Sequence, residues 1–358
     1  MGKDLIDDRY GRFYELPEYL ASQGHQVIGR CLAYHARKQS SVGQIDTPSG
    51  VTWLSWDLPP VYFDGLLKFH RDILASLKSF RPDVIVGCSD AFQVIYANWL
   101  GKKYCIPILI DLYDQFEAYG SNHIPGLQSA YRHAIKNASG VTCISEPLRR
   151  WVASLRNSEE NTFCLGNAVD TGLFRHFDKY ECRKNLGLPI DAKLIGTAGA
   201  LTKNRDIESL YRAYAKLAEL HTDIHLVIAG VRDTPPPAHP NVHDLGQLDH
   251  SKIPLLFNAL DVGVICNRNS LFAQYCHPQK FLEMQACNLP TIAARVGIFA
   301  LEDGEAGTET YIPEDPDDLV LKLLETLSKS RESATVRVPT WHSNARLLEG
   351  YLLKIIET

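Results

Sequence analysis

Short apolar runs rich in β-branched residues alternate with stretches of helical period along most of this chain, the mark of βαβ units that close a parallel sheet. In the first half the runs cover residues 26–32, 51–58, 83–88, 107–112, 141–145 and 162–165. Helical stretches fall between most of them, including 12–24, 62–79 and 90–100. A second series covers 194–199, 224–230, 242–245, 262–266 and 291–294. The rhythm breaks at 167–187, where Asn167-Ala168-Val169-Asp170-Thr171-Gly172 and a charged helix intervene. This pattern predicts an α/β protein of two Rossmann-like, doubly wound parallel-sheet domains facing a cleft. The expected bounds are 1–165 and 166–340, with a last helix at 341–358 crossing back to the first domain.

The beginning departs from that scheme. A doubly wound domain places its innermost strand ahead of its first helix, but only MGKDLIDDRYG precedes the helix here. Asp4, Asp7 and Asp8 suit a buried strand poorly. Two options are open, a stunted strand at 3–6 or no innermost strand, and the composition favours the second. The same acidic, polar stretch does not read as a signal peptide.

Composition adds bounds rather than detail. With 358 residues, 45% of them apolar and 22% charged, the chain is long enough for two cores. A formal net charge of −5 gives no basic field for nucleic acid. Nine dispersed cysteines without a C-x-x-C pair read as free thiols and imply a reducing, cytoplasmic setting. No apolar run is long enough to span a bilayer.

The stretch richest in chemistry runs from His277-Pro278-Gln279-Lys280 through Glu283 to Asn288-Leu289-Pro290. It predicts a loop, a short helix begun by Pro278, a turn, and the strand at 291–294. A helix N-terminus with a lysine beside it seats a phosphate. Glu283, about a turn on, reaches toward a hydroxyl of the same ligand. An anion seat with a carboxylate behind it suits a nucleotide diphosphate-sugar.

Five segments in order resemble the GT-B glycosyltransferases, specifically the large retaining family numbered four. Arg9-Tyr10-Gly11-Arg12-Phe13-Tyr14-Glu15-Leu16, with Gly24-His25-Gln26-Val27, looks like that family's glycine loop, first helix and second strand. Ile110-Asp111-Leu112-Tyr113-Asp114 resembles a strand end that usually reads His-Asp or Arg-Asp. Val141–Leu148 and Asn167–Phe174 are similar to its serine-bearing strand and its NGVD linker, and 278–290 to its donor-site helix. The resemblance implies an acceptor-side first domain and a nucleotide-sugar-binding second domain. It also implies transfer of a sugar with retention, without a metal or a separate cofactor, by a transferase of glycan or glycoconjugate assembly.

Carried over residue by residue, the resemblance gives Glu283 a ribose, and sets Lys280 against the diphosphate. A second family glutamate would fall at Tyr275, which leaves the sugar contact to His277 or nearby backbone. Gly199-Ala200-Leu201-Thr202-Lys203-Asn204-Arg205 stands where the family has an arginine and a lysine on the diphosphate. Ala200 replaces the arginine, Arg205 takes the lysine position, and Lys203 lies beside it. A cation opening the helix at 206–220 is unfavourable unless an anion faces it. Gly11 lets backbone approach donor or acceptor. Asp114, at a strand end, either orients an acceptor hydroxyl or caps a following helix; Asp111 and Glu117 are weaker candidates for the same role.

Other chemistry finds little support. His221/His225 and His239/His243 have zinc-like spacing, but a strand and Pro240 keep each pair off one helix face. Asp315-Pro316-Asp317-Asp318 reads as a helix cap. The acceptor stays open among a saccharide, a lipid-linked glycan and a small molecule. The helix at 62–80, with Leu66, Leu67 and Phe69 among Lys68, Arg71 and Lys78, packs on its own sheet or rests on the inner face of a membrane. Tyr10, Phe13, Tyr14 and Tyr19 stack on sugar rings or pack inside. Two competing readings keep a similar shape: a degenerate or truncated partner subunit that binds nucleotide sugar without turnover, and a sugar-nucleotide epimerase.

Overall fold

The computed structural model describes residues 5–7, 9–34, 42–58, 62–119, 124–202, 205–301, 308–329 and 337–357. Its contacts divide the chain into two compact units. The first comprises Met1–Ile144, Arg149–Ala168 and Thr340–Thr358; the second comprises Ser145–Leu148 and Val169–Pro339.

The N-terminal unit runs α1 (Arg12–Ser22), β1 (Ile28–Ala33), β2 (Val42–Asp46), β3 (Thr52–Asp57), α2 (Tyr62–Phe80), β4 (Ile85–Cys88), α3 (Ala91–Tyr104) and β5 (Ile108–Leu112). It continues with α4 (Leu127–Asn137), β6 (Gly140–Cys143), α5 (Glu146–Arg156, whose first turn belongs to the other unit) and β7 (Thr162–Cys164). Its strands form two sheets, β1-β3-β2 and β4-β5-β6-β7, all parallel except the β2–β3 pair. The doubly wound order 3-2-1-4-5-6 places an innermost strand between the strands that are here β1 and β4. Among the described residues the ladder is interrupted at that place, and Leu5–Asp7 form a turn rather than a strand. Residues 3 and 4 of the expected stunted strand lie outside the described residues.

The C-terminal unit follows with α6 (Lys179–Leu186), β8 (Lys193–Ala198), α7 (Ile207–Leu220), β9 (Ile224–Ala229), β10 (Val242–Asp244), α8 (Ile253–Ala259) and β11 (Val262–Ile265). Then come α9 (Leu271–Tyr275), α10 (Gln279–Ala286), β12 (Thr291–Ala294), β13 (Glu309–Tyr311) and α11 (Pro316–Ser328). One six-stranded sheet, β10-β9-β8-β11-β12-β13, is parallel throughout. Strand alternation sends Leu194, Val227, Ile265 and Ala293 into one apolar cluster and Ile195, Leu226, Val264 and Ile292 into the other. Both faces are therefore covered, as a parallel sheet requires.

The last helix, α12 (Trp341–Ile356), starts with a capping box between Thr340 and Ser343. Trp341, Ala345, Leu348, Leu352 and Ile355 pack with Leu16 and Leu20 of α1 and Leu109 of β5, inside the N-terminal unit. Cys143, Cys182, Cys266, Cys276 and Cys287 are buried. Among the described residues no helix is long and apolar enough to cross a membrane.

Candidate active site

In the C-terminal unit the informative groups gather at the carboxyl end of the sheet. β8 ends at Ala198 and the chain turns at Gly199, whose φ of 106° suits glycine. Gly199 and Gly230 approach so closely that a Cβ on Gly230 would lie 1.9 Å from the Gly199 carbonyl oxygen. A Cβ on Gly199 would lie 3.7 Å from the ammonium of Lys280. The tight turn after β8 and the first turn of α10 thus share one corner.

Pro278 is the N-cap of α10, one residue earlier than a first-turn proline. Lys280 follows in the first turn, half-buried, with its ammonium beside the turn at Gly199. Burial, then the nearby charge of Arg205, lowers its pKa to about 8; the Cys266 and Glu283 side chains pull the other way. Two cations held close together in a poorly solvated corner repel each other, and an anion between them relieves that cost. Burial pushes the neighbouring Cys266 thiol up to about 12, so it stays a neutral part of the wall.

Arg205 sits in a short 3₁₀ turn just before α7, not at the helix start the sequence predicts. The N-cap is Asp206, in the left-handed region at φ 53° and 1% exposed. The Arg205 guanidinium carbon lies 4.2 Å from the ring centroid of Phe272 on α9, so an aromatic face supports it. Lys203 lies outside the described residues.

Glu283 is one turn beyond Lys280 and 8% exposed. Its Oε1 lies 3.7 Å from His250 Nε2, and the His250 ring meets Phe174 edge-on at 5.3 Å. Tyr275 closes α9, and its carbonyl accepts the Ser145 hydroxyl at 2.5 Å. His277 lies between Tyr275 and the α10 cap. The corner therefore brings together Arg205, Lys280, Glu283, Pro278 and the turn at Gly199. Phe272 and His250 escaped sequence reading: a lone aromatic in a short helix and a histidine in a polar loop carry no local signal.

Gly11 and Asp114 belong to the N-terminal unit. Gly11 caps α1 at φ 82° and ψ −179°, a backbone that favours glycine. Asp114, 6% exposed, follows β5 and accepts a 2.7 Å hydrogen bond from the Tyr119 hydroxyl. It does not cap the 3₁₀ turn at Phe116–Ala118, whose cap is Gln115. Glu117 is engaged by Arg132 at 2.6 Å and by Gln128, on the side of α4. Asp111 is taken up structurally: Arg12 donates to both its oxygens at 2.7 and 2.6 Å, and Thr142 donates at 2.6 Å. Arg12 also donates to the carbonyls of Leu165 and Gly166 at 2.8 Å each.

Comparison with known proteins agrees with the fold. Residues 12–173 match the profile of Glycosyltransferase Family 4, and residues 192–329 match that of Glycosyl transferases group 1. A D-inositol 3-phosphate glycosyltransferase of Stackebrandtia nassauensis is 31% identical over 159 residues, 39% of this chain and 35% of that protein. Its counterpart in Mycobacterium bovis is 28% identical over 283 residues, 69% of this chain and 57% of that protein. The chain thus spans between about a third and three fifths of the curated relatives it matches. Among solved structures, the catalytic domain of starch synthase IV from Arabidopsis thaliana, bound to ADP and acarbose, superposes with a TM-score of 0.71 at 15% identity, over 99% of this chain and 97% of that one. Sucrose-phosphate synthase from Thermosynechococcus elongatus gives 0.68 at 18%, over 96% and 91%. Anabaena HepE in complex with UDP-glucose gives 0.62 at 17%, over 85% and 84%.

Proposed function

The chain belongs to the group 1 glycosyltransferases, and from that premise we propose that it moves a sugar with retention from a nucleotide diphosphate-sugar to an acceptor. The observation that carries the donor assignment is the Arg205–Lys280 cation pair, with Glu283 one turn behind, at the carboxyl end of the C-terminal sheet. UDP-glucose bound to HepE and ADP bound to starch synthase IV are donor and product chemistry of the kind this corner suits.

In this reading Lys280 and Arg205 neutralise the diphosphate, without a resident metal or further cofactor. Glu283, steadied by His250, accepts hydrogen bonds from the ribose hydroxyls. Tyr275, His277 and the cap at Pro278 face the donor sugar. The bond from the anomeric carbon to the phosphate oxygen breaks as the bond to the acceptor oxygen forms on the same face. The acceptor proton passes to the departing phosphate oxygen. Charge developing on that oxygen is what the two cations stabilise, so electrostatics supplies the main catalytic term. Asp114, held by Tyr119, orients the acceptor hydroxyl, and Gly11 gives its backbone room to approach. A reducing, cytoplasmic setting is part of the same reading, supported by nine dispersed cysteines without a C-x-x-C pair in the sequence.

Incubation with UDP-, GDP- and ADP-sugars, followed by proton NMR of the anomeric signal, tests this. Release of one nucleoside diphosphate with retained anomeric configuration supports it; inversion contradicts it. A second reading has its own observation: among the described residues the ladder is interrupted between β1 and β4, and Ala200 stands in place of a phosphate-site arginine. There the chain binds nucleotide sugar without turnover, as a partner subunit. Tight nucleotide binding with no release of sugar from any donor would favour it.

A further inference from the structure

A groove of about 460 Å³ lies on the N-terminal unit, and none of the residues placed above in donor binding lines it. Its wall is almost wholly carbon, built by Phe92, Ile95, Tyr96 and Trp99 of α3 and by Ile124 and Leu127 at the entry to α4. Phe92 is 52%, Trp99 41% and Ile124 46% exposed, which is costly for large apolar side chains on one contiguous patch. The rings are ordered against each other: Tyr96 stacks on Trp99 at 5.8 Å, and His70 of α2 bonds the Tyr96 hydroxyl at 2.7 Å.

One end of the groove is basic. Lys102 and Lys103 follow Trp99 by three and four residues, so they continue the same helix face. Lys103 Nζ stands 4.6 Å from the Trp99 ring centroid, and Lys102 Nζ lies 3.0 Å from His133, one turn past Ala130 on α4. The acids nearby are engaged elsewhere. Asp90 caps α3 and accepts from the Tyr34 hydroxyl, while Glu117 pairs with Arg132. At its other end the groove opens by Phe92, four residues past the carboxyl end of β4, the edge of a doubly wound sheet where ligands gather.

We propose that this groove holds the aliphatic chain of a lipid-linked acceptor whose head carries negative charge. The inference rests on the glycosyltransferase reading and deepens it by naming the acceptor class. A carbohydrate chain needs hydrogen-bonding partners that this wall lacks, whereas an alkyl chain needs only its apolar faces covered. The cations at the rim complement an anionic head, and the aromatic and basic pairing is that of proteins meeting amphiphiles.

The 358-residue chain is titrated calorimetrically with dodecyl phosphate below its micelle-forming concentration, with octyl phosphate and with inorganic phosphate. UDP binding is measured in the same preparations. Expected is an affinity for dodecyl phosphate about tenfold above that for octyl phosphate, from four further methylenes partly buried. Phe92→Ser and Trp99→Ser, both at exposed positions, should each remove most of that gain while UDP binding is unchanged. Lys102→Ala with Lys103→Ala should lower affinity for dodecyl phosphate but not for dodecyl maltoside. Equal binding of dodecyl and inorganic phosphate would overturn the proposal. So would binding only to vesicles of phosphatidylcholine with phosphatidylglycerol, or a self-association that Phe92→Ser abolishes. Loss of UDP binding in the unsubstituted chain would instead strike at the donor assignment, leaving the groove to be judged on its own titration.

Discussion

Val86 of β4 is 42% exposed, whereas every residue of β11 and β12 is buried, although all three are strands of parallel sheets. The difference lies in their neighbours. β11 and β12 have partners on both sides and helices on both faces. β4 is an edge, because among the described residues the ladder of the N-terminal unit is interrupted beside it. A parallel sheet gains its stability from being covered, so an interrupted one needs another tie. Here that tie is polar: Arg12 of α1 reaches Asp111 of β5 and two carbonyls after β7, with both side chains almost fully buried. Each unit holds a buried arginine pair, Arg12–Asp111 in the N-terminal unit and Arg183–Asp261 in the C-terminal one, but the first belongs to the unit whose ladder is interrupted among the described residues.

The sharpest way to break that contrast is Arg12→Ala. It leaves Asp111 buried without its charge partner, a loss of about 3–5 kcal/mol for such pairs. Urea unfolding followed by circular dichroism should show an early transition for the N-terminal unit, while UDP binding to the other unit survives. A single unshifted transition would mean that the pair ties nothing together.

The C-terminal unit makes the next largest prediction. Glu283→Ala should weaken nucleotide binding about thirtyfold, near 2 kcal/mol, in a calorimetric titration, in the range of a lost charged hydrogen bond. Unaltered affinity would remove Glu283 from the donor site.

Lys280 supplies a pH signature. Its pKa in the free protein is lowered to about 8, and a bound diphosphate raises it by favouring the charged form. Nucleotide affinity should then be level below pH 8 and fall about tenfold by pH 9 as the free lysine loses its proton. Between about pH 8 and the ordinary lysine range the unfolded chain binds more protons than the folded one, so this group makes the unliganded protein more stable as pH rises. Lys280→Met should abolish the slope. A slope that persists in that variant would assign it to another group.

The smallest effect concerns Phe272, which supports Arg205 through its ring face. Phe272→Leu keeps the bulk and removes the quadrupole, so donor turnover should drop about three- to fivefold, near 1 kcal/mol. No change in kcat would leave the ring as ordinary packing.

Legibility from sequence followed burial rather than the divide between units. Strands that are almost wholly apolar, such as β5, β11 and β12, announce themselves by composition, because a strand buried on both faces has few polar positions, here Asp111 in β5 and Thr291 in β12. β2 (Val42-Gly43-Gln44-Ile45-Asp46) was not legible: it is an antiparallel edge strand with polar alternate positions. β13, three residues at the sheet edge, is too short to carry a period. In the site, Lys280 and Glu283 were readable because three residues along one helix put both side chains on one face. The roles of His250, Phe272 and the Arg12–Asp111 pair were not, since each depends on a contact made only by folding. Asp111 stood among the weaker candidates for an acid facing the acceptor; its engagement by Arg12 needed the structure.

The central claim is that the corner formed by Arg205, Lys280 and Glu283 holds a nucleotide diphosphate. Thermal unfolding of the whole chain against UDP, GDP, ADP and their sugar conjugates tests it most directly. A ligand of the native state at a hundredfold excess over its Kd stabilises by about 2.7 kcal/mol. The account predicts an upward shift in Tm with one base, lost in Glu283→Ala and reduced in Lys280→Met. A well-folded chain that shifts with none of them, or whose shift survives both substitutions, would contradict it.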